Sequence, residues 1–139
     1  MNPILGIDFG RARIGLAISD ELRLLAHPLE TIGNDKDAIA KIEEIVRNRK
    51  IDKVVIGIPR HMSGEIGESA TAVLQFIEKL RTRVRCAIDT SDERLTTVAA
   101  QRALQQSGKK TRDTRHLVDQ VAAQMILQTY LDRLHNAAT

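Results

Sequence analysis

ILGIDFGRARIGLAISD, residues 4–20, reads as two strands joined by a tight turn. Ile4 to Asp8 is a mostly apolar run that ends on a carboxylate, the pattern of a buried strand whose last side chain emerges at a sheet rim. Gly10 permits the turn. Arg13 to Ser19 then alternates Ile14, Leu16 and Ile18 against Gly15 and Ala17, the two-residue period of a second strand. An acid directly after a buried strand needs partners, since an unpaired buried charge is costly. Asp8 can cap the turn or hold a cation, and the rest of the chain bears on which.

Working outward, a short third strand is expected at Leu29 to Ile32, ending at Gly33. Asn34 or Asp35 can cap a helix running to about Arg49, with Ala38, Ile39, Ile42, Ile45 and Val46 on one face. Lys53 to Ile58 reads as a fourth strand closed by Pro59. A loop through Gly64 and Gly67 leads to a helix bearing Ala70, Val73, Leu74, Ile77 and Leu80. Val84 to Ile88 reads as a fifth strand. A short helix from about Leu95 to Gln106 stops at Gly108, a plausible C-cap. The last helix, about Leu117 to Leu134, carries Val118, Val121, Ala122, Met125 and Leu127. Three strands in succession predict an antiparallel meander, and the later strand–helix units predict parallel strands with crossover helices. The expected architecture is a mixed β-sheet of five strands flanked by helices, as in the RNase H-like fold. Element order alone leaves doubly wound alternatives open.

At 139 residues the chain is expected to form a single domain over residues 1–139. Phe9, Phe76 and Tyr130 are its only aromatics, which argues against binding bases on a stacking platform. A net charge of +3 is compatible with a polyanionic partner. Cys86 is alone, so no intrachain disulfide can form, and a reducing compartment fits. No apolar run approaches membrane-spanning length and the N-terminus lacks signal-peptide features, so a cytoplasmic location is expected. His27, His61, His116 and His135 share no zinc-ligand spacing. No serine sits in a nucleophile-elbow pattern.

The acids carry more. Asp8 is placed at the rim, Asp89, Asp92 and Glu93 follow the expected fifth strand, and Asp119 lies early in the last helix. A rim carboxylate can meet one from a following loop and one from a covering helix. Acids so gathered repel each other unless a cation joins them. Mg²⁺ or Mn²⁺ suits all-oxygen ligands and can activate water for phosphodiester cleavage. Taken singly, each acid also has a structural reading: Asp8 as a turn cap, Asp92 as a helix N-cap and Asp119 as a favourable charge near a helix N-terminus.

GIDFGRARIGLAISD (6–20), VVIGIPRHMSGEIGESATAVLQFIEKL (54–80), DERLTT (92–97) and VDQVAAQMILQTYL (118–131) together resemble the YqgF/RuvX family. These segments span nearly the whole chain in the family's order. The family is related to Holliday junction resolvases and described as candidate pre-16S rRNA nucleases. The resemblance implies an RNase H-like fold, metal-dependent cleavage of structured nucleic acid and a role in maturing the 5′ end of pre-16S rRNA. It points to Asp8, Glu93 and Asp119 as catalytic and metal-binding acids, and it implies contact with ribosomal or pre-ribosomal particles. In the wider resolvase group the second acid is expected at the end of the fourth strand. Here that strand ends Ile56-Gly57-Ile58-Pro59, so Glu93 must come from the next strand's loop.

Arg11 and Arg13 flank the turn beside Asp8, where they could hold phosphates. GKKTRDTRH (108–116) sets Lys109, Lys110, Arg112 and Arg115 against one Asp, in a basic loop expected just before the Asp119 helix. Arg81, Arg83 and Arg85 read as a solvated helix end. Three rival functions remain. A sugar-kinase-like ATPase shares a GIDFG-type loop but needs two lobes. A silent RNA-binding assembly factor would not need the acids. A Holliday junction resolvase would require a homodimer to cut two strands symmetrically, and the chain is expected to be a monomer or homodimer.

Overall fold

The computed structural model describes residues 1–58, 68–92 and 112–138, with side chains throughout except at 68, 69, 112–118, 137 and 138. Five strands, β1 (Ile4–Phe9), β2 (Arg13–Ser19), β3 (Ala26–Gly33), β4 (Lys53–Ile58) and β5 (Ala87–Asp92), form one sheet in the order β3-β2-β1-β4-β5. The meander is antiparallel, Leu5 facing Ile18 and Leu16 facing Glu30. β4 runs parallel to both β1 and β5. Three described helices cover the sheet: α1 (Ala38–Asn48), α2 (Glu68–Arg81) and α3 (Arg112–Ala138). The mixed five-stranded sheet is therefore as the sequence predicts.

Strand alternation divides the core. Leu5, Ile7, Ile14, Leu16, Val54, Ile56 and Ile58 point to one face and join Ala38 and Ile42 of α1 and Val73, Phe76, Ile77 and Leu80 of α2. Ile4, Ala17, Ala26 and Val55 point to the other and meet Ala122, Ala123, Ile126, Leu127, Tyr130 and Leu131 of α3. That second face is built for close approach. A Cβ on Gly6 would stand 2.7 Å from Leu127 Cβ, so the helix can lie this near only where β1 has no side chain.

Several boundaries differ from the sequence expectations. β5 starts at Ala87 and continues to Asp92, because the amides of Arg83 and Val84 both bond the Leu80 carbonyl and keep that stretch in the turn closing α2. Asp89 and Asp92 thus lie within the strand. β3 begins three residues early, at Ala26, where Gln128 Oε1 accepts from the Ala26 amide and Gln124 Nε2 donates to its carbonyl. Neither Asn34 nor Asp35 is the N-cap of α1. Asn34 donates to the Gly10 carbonyl at 2.6 Å, Asp35 accepts from the Asp37 amide, and Asp37 holds the cap position. α3 starts at Arg112, so Arg112 and Arg115 are on helix backbone rather than in a loop. Val121 is turned outward, since Ala122, Ala123 and Ile126 form the packed stripe. The expected 59–67 loop and 95–106 helix, together with Glu93, Lys109 and Lys110, lie outside the described residues.

Candidate functional site

Asp8 is 3% exposed, the most buried acid described. Alternation along β1 puts Phe9 against Phe76 on the α1/α2 side and turns Asp8 toward α3. Its cross-strand partner is Gly15. A Cβ on Gly15 would collide with the Asp119 carbonyl and stand 3.1 Å from Asp119 Cβ. Opposed residues in an antiparallel pair have Cα atoms about 4.5–5.5 Å apart. Gly15 therefore brings Asp8 and Asp119 together by having no side chain between them. Two of the three sequence-predicted acids therefore border the same glycine at one rim.

Three anchors set the position of Asp119 along α3. At the rim, Arg13 Nε donates to Asp119 Oδ2 at 2.9 Å. Toward β3, Gln124 and Gln128 clamp Ala26. Across β4 and β5, Lys53 Nζ donates to Tyr130 Oη at 2.9 Å, and Tyr130 Oη donates to Asp89 Oδ2 at 3.0 Å. Each anchor joins a polar side chain of α3 to a different strand, so helix rotation would break all three. Asp89 is thus engaged with the body of α3.

Arg13 faces Asp119, with the guanidinium Nε on one carboxylate oxygen. Arg11 is exposed in the turn and has no ion pair among the described residues. Asp92 pairs with Ile58 and shares its side of β5 with Ile88, whereas Asp89 and Ser91 face α3. Asp92 and Asp8 therefore lie on opposite faces of the sheet.

Sequence reading missed Ser91. Ile7 pairs with Ile56, so Gly57 follows beside Asp8, and Gly57 pairs with Ser91. Gly15, Asp8, Gly57 and Ser91 thus form a row across the rim on the α3 side, with two glycines flanking the acid. Ser91 is 2% exposed and its hydroxyl has no hydrogen-bond partner among the described residues. Only the extension of β5 past Ile88 reveals it. Cys86, half-buried, has its thiol pKa pushed up by burial, the opposite of an activated nucleophile.

Among the described residues no group of three His, Cys, Asp or Glu side chains is placed to hold a metal ion. The donors that are described suit a hard cation: two carboxylates from β1 and α3, set together across a glycine.

The sheet order and the acid at the end of β1 define a protein of the RNase H-like class, of the resolvase type. Thermus thermophilus RuvC in complex with Holliday junction substrate shares the fold at a TM-score of 0.56, with 15% identity over 97% of each chain. Fowlpox virus resolvase, in complex with its substrate Holliday junction DNA, gives 0.55 at 13% identity, covering 95% of this chain and 98% of that one. The RuvX family model, described as Holliday junction resolvase, matches residues 2–133, and the chain belongs to that family. Relatives named as candidate pre-16S rRNA nucleases include one from Nocardia farcinica, 47% identical over 137 residues, covering 92% of this chain and 76% of that one. Another, from Endomicrobium trichonymphae, is 46% identical over 136 residues, covering 95% and 96%.

Proposed function

We propose that this chain is a divalent-metal-dependent endonuclease that processes the 5′ end of pre-16S rRNA in the cytoplasm. The observation that carries the reading is that buried Asp8 pairs with Gly15 while Asp119 packs against the same glycine. Asp8 and Asp119, with Glu93 as the third acid, would hold Mg²⁺ or Mn²⁺. Glu93 directly follows Asp92, the end of β5, in sequence. A bound ion of this kind supplies a nucleophilic water at neutral pH and stabilises charge on the leaving oxygen.

The chain's own groups do the placing. Arg13 fixes one oxygen of Asp119 and leaves the other to turn toward the rim. The flanking glycines keep backbone low beside Asp8, where a phosphodiester has to approach. Arg11, exposed in the turn, is positioned to meet a phosphate. Lys109, Lys110, Arg112 and Arg115 precede Asp119 in sequence and would neutralise the nucleic-acid backbone there. The partners are pre-rRNA and the pre-ribosomal particle that carries it. Among the described residues no helix is long and apolar enough to cross a membrane.

The test is incubation with Mg²⁺ or Mn²⁺ against matched substrates, a pre-16S 5′ leader and a four-way DNA junction. Cleavage of the leader alone is expected. Paired cuts in the junction, made by a homodimer, would assign a resolvase instead. Binding without cleavage of either would leave an RNA-binding assembly factor.

A further inference from the structure

Arg83 and Arg85 are not simply the solvated end of α2. With Arg47 and Lys50 from the end of α1 they line a cleft of about 610 Å³, floored by Val46, Ile51, Val84 and Cys86. Glu43 is the sole acid in its lining. Four cations against one carboxylate leave +3, equal to the excess of the whole chain, 21 Lys and Arg over 18 Asp and Glu. The cleft therefore matches in local charge the basic segment 108–116, and it lies on a different part of the fold from the rim.

The charges are also arranged for use. Glu43 takes Arg83 Nε at 2.7 Å and lies 3.8 Å from Arg47 Nη1, so one carboxylate spaces two guanidiniums without neutralising both. Lys50 and Arg85 have no ion pair among the described residues, and both are exposed. Lys50 follows the α1 C-terminus with φ of 56°, a strained conformation for lysine that fixes where its side chain leaves the backbone. Like charges gathered this way repel each other, and a bound polyanion relieves the repulsion.

The cleft sits at the starting ends of β4 and β5, next to Ile51 and Cys86, on the α1/α2 side. Asp8 lies at the finishing end of its strand on the α3 side. β4 alone spans roughly 20 Å, so one straight duplex does not lie along both. We infer that this cleft binds the phosphodiester backbone of a second segment of a folded nucleic acid while the first occupies the rim. This rests on the proposed nuclease reading for the identity of the polyanion, and it would make the protein a reader of RNA architecture as well as a cutter.

The experiment measures binding by fluorescence anisotropy with EDTA present, so that no cleavage occurs. The RNAs are a single stem and a branched RNA that adds a second stem. The variant is Lys50→Asn with Arg85→Gln; Lys50→Arg with Arg85→Lys keeps the charge. The charge-removing pair should weaken binding of the branched RNA about tenfold and leave the single stem within twofold. Its log-affinity against log-salt slope should flatten by about 0.9 per lost duplex contact, and the charge-keeping pair should restore both. Equal effects on the two RNAs, no effect on either, competition by polyglutamate as strong as by RNA, or a wild-type chain that binds neither RNA would each overturn the inference. Because no cleavage is read, an inactive wild-type protein would defeat the nuclease reading without touching this result.

Discussion

The two faces of the sheet are made from the same strands and do opposite work. Toward α1 and α2, β1, β2 and β4 present Leu5, Ile7, Ile14, Leu16, Val54 and Ile56 as a continuous aliphatic layer. Toward α3, the same strands present Gly6, Asp8, Gly15, Ala17 and Gly57, small or polar at nearly every step. Each buried aliphatic side chain contributes about 1.5–3 kcal/mol, so one face stabilises the fold. The other keeps Ile4 and Val55 but is small elsewhere, so it lets α3 approach and positions Asp119 near Asp8. Alternation of period two thus lets one strand serve both the core and the site.

The sharpest way to break this comparison is at the end of β5, where Asp92 lies on the α1/α2 side and Glu93 follows it in sequence. Glu93→Gln should abolish metal-dependent cleavage with little change in melting temperature. Asp92→Asn, on the α1/α2 side, should keep most activity. An inactive Asp92→Asn beside an active Glu93→Gln would mean that Asp92, not Glu93, is the third acid.

Next in size is a pair of neighbours on β2. Leu16→Ala should cost about 2–5 kcal/mol while the folded fraction cleaves normally. Gly15→Ala should cost about 1–3 kcal/mol by overpacking, and it should also lose activity, because α3 must move and carry Asp119 with it. Denaturant unfolding and cleavage on the same samples separate the two. If Gly15→Ala retains full activity, the glycine is not what brings the acids together.

The smallest effect tests the far end of the sheet. The Leu24 amide donates to Asp20 Oδ1 at 2.7 Å and, with the Leu25 amide, holds the Asp20 pKa below its ordinary 3.8. A carboxyl depressed in the folded state contributes stability at higher pH and loses it as pH falls through its folded pKa. The β2–β3 turn should therefore loosen only below about pH 3.8, a window well away from the rim chemistry. Carbon NMR titration of Asp20 should show a midpoint under 3.8; one above it would remove these hydrogen bonds from the account.

The sequence made the sheet legible because residues 4–20 hold an apolar run, a glycine turn and an alternating strand, and the fourth strand is short and apolar. It also expected Asp8 at the end of the first strand, and β1 carries Asp8 one residue before its last, Phe9. The limits of β5 were not readable. Val84 and Cys86 look like strand, but the Leu80 carbonyl holds the turn closing α2, a contact no local pattern encodes. The outward turn of Val121 was missed because α3 packs through Ala122, Ala123, Ile126, Leu127, Tyr130 and Leu131, a stripe that leaves Val121 outside and sets the helix against Gly6 and Gly15. Arg13 reads as a phosphate ligand in sequence. Its partner Asp119 is 106 residues away, and only the fold puts them together.

The central claim is that Asp8 stands at the rim to hold a metal ion for phosphodiester cleavage. The most direct measurement is Mn²⁺-dependent cleavage of the pre-16S leader by purified wild-type protein and Asp8→Asn, each shown by circular dichroism to be folded. Asn keeps the shape and removes the charge, so activity should fall by more than about a hundredfold, beyond what loss of a metal's outer-shell partner costs, with the melting temperature unchanged. A folded Asp8→Asn protein that cleaves at the wild-type rate would contradict the account.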